Sequence, residues 1–377
     1  MRHGIGAKLA LAVLLLVSGA ANTSVAQAQT PSEPPTPTSG VPAGSSLLNP
    51  NVSVIGWFQA QAGDVSDVPG SRTFDLREAE LGFQANVDPY SRADFFISVS
   101  REGIDLEEGY LTLLTLPVGL SAKVGKFRNN FGKFNRTHPP ETPFADRPLA
   151  AERFLGEEGL AGAGASVSWL IPVPVYLNLD AEVTDTPDRA EVPSFEAFRG
   201  KDLLYTSRLS TFFDIGETVN FTLGGSVANG ANGAALADTD FVTPDTKALR
   251  ATLLGADVTF RWKNPRRAIY RSLVAQVEWM QRRAEQFGTP DLKGNGGFAY
   301  VDYQFARRWH AGLRLDQSES PDGGPSDQGQ LGFLTFTPSE FSLVSAQVRR
   351  RDTIGSDEMT YFLKTTFNIG PHGQHPF

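Results

Sequence analysis

The nine residues Val175-Tyr176-Leu177-Asn178-Leu179-Asp180-Ala181-Glu182-Val183 carry the fold in their spacing. In an extended chain Val175, Leu177, Leu179, Ala181 and Val183 share one face, and Tyr176, Asn178, Asp180 and Glu182 share the other. Period-two alternation of this kind marks a strand with one apolar and one polar side. The pattern recurs outward in both directions. Phe95, Ile97 and Val99 oppose Asp94, Ser98 and Ser100, and Leu273, Ala275, Val277 and Trp279 oppose Gln276, Glu278 and Arg282. Trp309, Ala311, Leu313 and Leu315 oppose His310, Arg314 and Asp316; Tyr361, Leu363, Phe367 and Ile369 oppose Lys364, Thr366 and Asn368. About sixteen such segments start near residues 51, 73, 92, 106, 120, 159, 175, 203, 218, 247, 271, 297, 309, 329, 342 and 358. An even count suits a bacterial outer-membrane barrel.

The connections sort by parity. After even segments they are short, as at 88–91, 117–119, 171–174, 214–216, 306–308 and 337–339. After odd segments they are longer and polar: 61–72, 127–158, 184–202, 229–246, 286–296 and 317–328. Short periplasmic turns alternating with long extracellular loops are expected of a transmembrane barrel, and they place both termini in the periplasm. Trp169, Trp262 and Trp309 fall at the short-turn ends, where an aromatic girdle belongs. Phe377 ends the chain with an aromatic, although Gly370 to Pro376 separate it from the last alternating segment. The expected fold is therefore all-β: a transmembrane antiparallel β-barrel of about sixteen strands.

Bulk composition hides this. The chain has 377 residues, 40% of them hydrophobic, and no cysteine. Its mean hydropathy is −0.22. The absence of thiols excludes disulfides and thiolate metal centres. Arg2 and Lys8, the apolar run Leu9 to Val17 and the small residues of Ala26-Gln27-Ala28 read as a secretory signal peptide over residues 1–28. Without them 32 basic residues face 42 acidic ones, a net charge of −10, which argues against nucleic acid as a partner. Residues 29–50 are rich in Pro, Ser and Thr and read as a periplasmic linker, leaving 51–377 for the barrel.

Enzyme chemistry finds little support. His138, His310, His372 and His375 are the histidines that follow the signal segment. No H-E-x-x-H or G-x-S-x-G pattern occurs, and His310 has no serine partner by pattern. His372 and His375 lack neighbouring acidic ligands, so a solvated tail is the simpler reading. No catalytic residue, cofactor or metal is expected. Adhesion through the loops at 184–202 and 229–246, an enzyme built near His310, and a receptor-type transporter are the competing readings. A receptor would need a plug domain, and only about 22 residues lie between signal and barrel.

A diffusion channel needs geometry and charge. By alternation Arg208, Arg261, Arg282, Arg314, Arg349 and Lys364 face the lumen, together with Glu78, Glu80, Asp94, Asp180, Glu182, Asp257, Glu278, Asp302 and Asp316. Between neighbouring strands many should pair. The segment 127–158 stands apart. It holds Arg128, Lys133, Arg136, Arg147 and Arg153 against Glu141, Asp146, Glu152, Glu157 and Glu158, with Lys123 and Lys126 just before it. Its first limb is basic and its second acidic, which suggests a field across a pore. Phe127, Phe131, Phe134, Phe144 and Phe154 would be stranded in water on an extracellular loop, so the segment is expected to fold into the lumen as a constriction.

Val124-Gly125-Lys126-Phe127-Arg128-Asn129-Asn130-Phe131-Gly132, followed by Asn135, His138 and Asp146-Arg147-Pro148, resembles the phosphate-selective porin O and P family. Ala79 to Phe83 and Asp94-Phe95-Phe96 are similar to it as well, so the likeness covers about residues 75 to 165. The resemblance implies a sixteen-stranded barrel, usually a homotrimer, whose third extracellular loop folds inward. It also implies an arginine-lined funnel leading to a basic constriction, for which Arg128, Lys133 and Arg136 are the matching residues. The chain departs from that pattern in its acid-rich lumen and charge-balanced loop. The expected function is passive diffusion of small hydrophilic solutes or ions, anions such as phosphate among them, across the outer membrane of a Gram-negative bacterium. The expected partners are membrane lipids and the solutes themselves.

Overall fold

The computed structural model describes residues 50–65, 68–187, 191–197, 202–233, 249–264, 270–353 and 356–370. The signal segment 1–28, nearly all of the linker 29–50, His372, His375 and Phe377 lie outside the described residues.

Sixteen strands form one closed antiparallel barrel. In chain order they are β1 (Asn51–Val65), β2 (Val68–Asp88), β3 (Ser91–Val99), β4 (Ile104–Leu116), β5 (Leu120–Arg128), β6 (Ala161–Leu170), β7 (Leu177–Asp185) and β8 (Leu203–Ile215). The second half comprises β9 (Val219–Ala231), β10 (Arg250–Lys263), β11 (Ser272–Ala284), β12 (Leu292–Ala306), β13 (Trp309–Ser318), β14 (Asp327–Ser339), β15 (Ser342–Thr353) and β16 (Ser356–Ile369). Each strand pairs with its sequence neighbours, and β1 pairs with β16 from Val54↔Ile369 to Gly63↔Thr360, so no edge is left unpaired.

The alternation decides which face is which. On β10, Leu254, Ala256 and Val258 are exposed on the outer surface, while Leu253, Asp257 and Thr259 are buried inside. On β16, Tyr361, Leu363 and Phe367 point out, and Phe362, Lys364 and Thr366 point in. Trp169 and Trp309 are exposed at the short-turn ends of β6 and β13.

The strands run further than apolar alternation suggests. The segment 61–72, expected as a loop, is largely ladder, with Gln61↔Thr73, Ala62↔Arg72 and Gly63↔Ser71 paired. β12 likewise begins at Leu292, inside the expected loop 286–296. Backbone pairing continues above the level where a lipid-facing side chain is needed, so the sequence signal fades before the strand does.

The apolar core sits inside the barrel, and the segment between β5 and β6 is its largest single contributor. This segment contains two 3-10 turns, Phe134–Arg136 and Pro139–Glu141, and a short helix α1 (Leu149–Leu155). Phe131, Phe134, Phe144 and Phe154 pack with Leu253, Met280, Phe298, Leu331 and Phe333 of the wall. Phe127 is fully buried too. Burial of each phenyl ring stabilises by about 2 kcal/mol relative to exposure, which is what holds a polar-wall lumen and this loop together. Val192 and Phe195, from the connection between β7 and β8, join the same core. That connection, expected as an exposed loop at 184–202, thus also contributes an inward-folded piece.

Candidate functional site: the inward loop and its cavities

The neck of the loop is closed by one amide. Asn135 Nδ2 donates to the carbonyls of Asn129 (2.9 Å) and Leu160 (2.8 Å), and its Oδ1 accepts from the Leu160 N–H at 2.8 Å. A backbone bond from Asn129 N to Leu160 O completes the closure at 2.9 Å. Asn135 is fully buried, so the three bonds satisfy an amide that would otherwise be costly there.

Beyond the neck, inward side chains of the wall hold the loop. Glu278 on β11 accepts from the N–H groups of Lys133 (3.3 Å) and Phe134 (3.1 Å). Gly132, at φ +62°, passes so close that a Cβ there would stand 1.9 Å from Glu278 Oε1. Gln347 on β15 accepts from Ala145 N (2.9 Å) and donates to Pro143 O (3.0 Å). Asp146 receives Arg314 at 2.9 Å and Arg349 at 2.9 Å, with Arg351 at 3.9 Å. Burial would raise the Asp146 carboxyl, but Arg314 and Arg349 outweigh it and hold it below its ordinary range. Lys364 donates to the carbonyls of Thr142 (2.7 Å), Phe144 (2.9 Å) and Pro139 (3.4 Å). Arg153 binds Asp327 and the Ser318 carbonyl. Arg314, Arg349 and Lys364, read from sequence as an open lumen wall, are therefore anchors of the loop.

Some of the remaining wall charges pair among themselves, and others are held by neutral donors. Arg208 makes two bonds to Asp257, at 2.6 and 2.9 Å, reaching across β9 where Gly224 leaves the room. Asp94 pairs with Arg92 at 2.7 Å. Asp180 accepts from Asn130 (2.6 Å) and Ser168 (2.5 Å), and Glu182 accepts from Asn130 N at 2.9 Å. His310 faces Asp302 at 3.2 Å.

Cavities lie on both sides of the loop. On the long-loop side one of about 350 Å³ is lined by Asp75, Arg77, Glu152, Glu157, Glu158 and Arg349 among others. On the short-turn side one of about 450 Å³ is lined by Lys123, Lys133, Arg136, Arg208, Arg261 and Glu141 among others. The segment 138–142 stands between them: Pro139 and Thr142 line the first, His138 and Glu141 the second. Lys133 and Arg136 of the basic limb line the short-turn cavity together with Glu141, whereas Asp146, Glu152, Glu157 and Glu158 line the long-loop cavity together with Arg147. Most of the acidic limb therefore does not oppose the basic limb across one opening, as the order of charges in the sequence suggests.

Within the second cavity Lys123, Lys133, Arg136 and Arg261 have no carboxylate partner within ion-pair distance among the described residues. Lys123 lies over the Tyr110 ring at 4.0 Å, and Lys133 donates to Thr259 at 3.0 Å. Burial, reinforced by the nearby Arg261 charge, pushes the Lys133 ammonium down to about 7.

Two further expected site residues lie outside the short-turn cavity. Lys126 follows Val124 on the outward parity of β5 and contacts Asp105 at 3.4 Å and the Leu106 carbonyl, away from the loop's charge cluster. Arg147 packs over Phe134 with its guanidinium 5.4 Å from the ring, and burial beside Arg128 lowers it to about 10.

Sequence reasoning missed one cluster. A β-bulge on β4, between the pairs Phe96↔Glu108 and Ile97↔Leu106, leaves Glu107 without a partner and turns both Glu107 and Glu108 inward. By strict alternation only one of two consecutive residues such as these would face inward. In the barrel they meet Arg128 (2.6 Å to Glu107) and His138, whose Nε2 is 2.8 Å from Glu108. His138 Nδ1 is 2.9 Å from both Glu80 and Glu107. Burial alone would lower the imidazole, but Glu80 and the contacts with Glu107 and Glu108 hold it well above its ordinary value.

No protein-family model matches the chain. Solved structures share its architecture at low identity. The anion-selective porin from Comamonas acidovorans superposes with a TM-score of 0.57 at 9% identity, over 85% of this chain and all of that one (100%). The outer membrane channel DcaP of Acinetobacter baumannii gives 0.56 at 12%, over 86% and 99%. The trimer form of the Vibrio cholerae outer membrane protein OmpT gives 0.54 at 12%, over 85% and 100%. At such identities the likeness establishes a porin-type barrel. In sequence, a protein of Aquifex aeolicus (strain VF5), described as an uncharacterized protein, is 33% identical over 337 residues, covering 81% of this chain and 70% of the relative. This chain belongs to the same family as that Aquifex protein, and its fold is the sixteen-stranded barrel of outer-membrane porins.

Proposed function

We propose that the protein is a passive outer-membrane channel for small hydrophilic solutes, with a preference for anions. The observation that carries the reading is the short-turn-side cavity, where Lys123, Lys133, Arg136 and Arg261 stand without carboxylate partners among the described residues. Field lines from such a group concentrate in a low-dielectric passage, and the net charge of the whole chain matters little beyond a Debye length of about 8 Å. Of the expected constriction residues, Lys123, Lys133, Arg136 and Glu141 would meet the permeating ion. Arg128, Arg147, Arg153 and Asp146 would hold the loop in place.

Phosphate is a candidate solute, supported by the resemblance of residues 75 to 165 to the phosphate-selective porin O and P family. In this reading residues 1–28 export the chain and 29–50 form a periplasmic linker. The exposed apolar belt of Leu209, Val258, Leu313 and Leu363 meets lipid or neighbouring subunits of a homotrimer in a Gram-negative outer membrane.

The test is the reversal potential of the purified protein in a planar bilayer under a KCl gradient. The expected sign is that of chloride. Replacing Lys123, Arg136 and Arg261 together by Gln lowers the chloride-to-potassium permeability ratio several-fold. An unchanged ratio in a folded triple variant would place the ion path elsewhere, and absence of stepwise conductance from the folded barrel would end the channel reading.

A further inference from the structure

We propose that Glu80, Glu107 and His138 form a binding site for one first-row divalent metal ion, of the Zn²⁺ or Mn²⁺ class, which pins the inward loop to the barrel wall. The three donor atoms lie within 4.8 Å of one another, and all three residues are buried. His138 Nδ1 is 2.9 Å from an oxygen of Glu80 and 2.9 Å from an oxygen of Glu107. A separation of this size is that of two adjacent ligands bound about 2.1 Å from an octahedral ion.

The hydrogen bonding points the same way. Nδ1 has no hydrogen-bond partner, and neither has Glu80 Oε2 beside it; Glu107 Oε2, the oxygen near Nδ1, accepts from Arg128 Nη2 at 2.6 Å, while Glu107 Oε1 is unpartnered. The ring is fixed from its other side by Glu108, 2.8 Å from Nε2, and by the Phe96 ring at 5.1 Å. A carboxylate on the far nitrogen orients the imidazole and strengthens it as a ligand.

Charge balance is the second argument. Glu78 and Glu80 on β2 and Glu107 and Glu108 on β4 are all buried around His138, and Glu158 lies 4.0 Å from Arg128 on the exposed side. Facing them are Arg128 on β5 and, from β16, Lys364, whose ammonium is committed to three loop carbonyls. Ligation through Nδ1 needs a neutral imidazole, which leaves Arg128 as the fixed cation in ion-pair contact with the cluster; a divalent ion supplies positive charge that the remaining buried carboxylates, costly when uncompensated, lack. One imidazole with carboxylate oxygens suits a first-row transition ion better than Ca²⁺, which takes oxygen ligands alone.

The position gives such an ion a consequence. Glu78 and Glu107 line the long-loop cavity, whereas Glu108 and His138 line the short-turn cavity. An ion here joins the segment 138–142, which divides the two, to strands β2 and β4. The site stands independently of what the channel carries.

The experiment uses the full-length protein with His372 and His375 replaced by Gln, so that the tail histidines do not compete, folded in detergent and stripped with chelator. Equilibrium dialysis against Mn²⁺ or Zn²⁺ is expected to give one ion per chain with a dissociation constant below about 10 μM. Glu80→Gln and His138→Gln each weaken it by more than tenfold, and Glu152→Gln, outside the cluster, leaves it unchanged. Pulsed EPR of the Mn²⁺ form is expected to show coupling to one imidazole nitrogen, a readout that does not require any variant to fold. No stoichiometric ion, no nitrogen coupling, or binding that survives His138→Gln in a folded barrel would each overturn the site.

Discussion

Gly132 concentrates the fit of loop to wall in a single residue. Its φ of +62° is open to glycine at little cost, and its missing side chain leaves the space occupied by the Glu278 carboxylate. Glu278 is buried and accepts from two successive loop amides. A Gly132→Ala methyl would have to displace that carboxylate, adding loss of two charge-assisted hydrogen bonds to about 1 kcal/mol of backbone strain. The expected outcome is faster hydrogen exchange at the Lys133 and Phe134 amides, by one to two orders of magnitude, while the strand amides keep their protection. Equal protection in wild type and variant would mean that Glu278 is not what fixes this turn. In sequence Gly132 could be noticed within the Val124 to Gly132 resemblance. Its partner could not, because Glu278 is 146 positions away and a register of strands must be known before the two meet.

The inward loop was legible from one feature and opaque in another. Five phenylalanines in a segment flanked by strands have no place on a water-exposed loop, and all five are buried in the lumen. The direction of the fold therefore followed from composition. The fate of each charge did not. Period-two parity correctly turned Arg314, Arg349 and Lys364 inward, but parity says nothing of height along the barrel or of what the loop presents opposite each one. The bulge at Glu107 broke the parity rule itself, so two consecutive glutamates share a face. Asp146 illustrates the energetics of this hidden pairing. It accepts from Arg314 and Arg349 at 2.9 Å each, and removing its charge leaves the largely buried Arg349 without a carboxylate partner and Arg314 with Asp316 alone. Breaking such a pair costs about 3 kcal/mol or more. Asp146→Asn is thus expected to leave the barrel folded but to free residues 129–160, seen as new protease cleavage within the loop and as noisier single-channel current. A variant as protease-resistant as wild type would show that the apolar core alone secures the loop.

Across the whole barrel the two mouths differ in charge, and this difference is open to titration. The long-loop side carries Glu152, Glu157 and Glu158 of the loop, and the short-turn side carries Lys123, Lys133, Arg136 and Arg261. Lys133 is the titrating member. It faces Asp257, Thr259 and Arg261 of β10, Glu278 of β11 and Arg208 of β8, and burial together with Arg261 brings its ammonium from the usual lysine range down to about 7. The sign follows directly. Below pH 7 Lys133 is charged and adds to the attraction for anions, and above it the amine is neutral and three cations remain. The chloride-to-potassium permeability ratio is therefore expected to fall between pH 6 and pH 8, with its midpoint near 7. Lys133→Met should give a lower ratio at pH 6 and remove the change across this interval. The charge of Arg136 stays fixed over the same range, so Arg136→Gln should lower the ratio at both pH values and keep the step. A ratio independent of pH in the wild type, or a step that survives Lys133→Met, would mean that permeating ions do not pass Lys133.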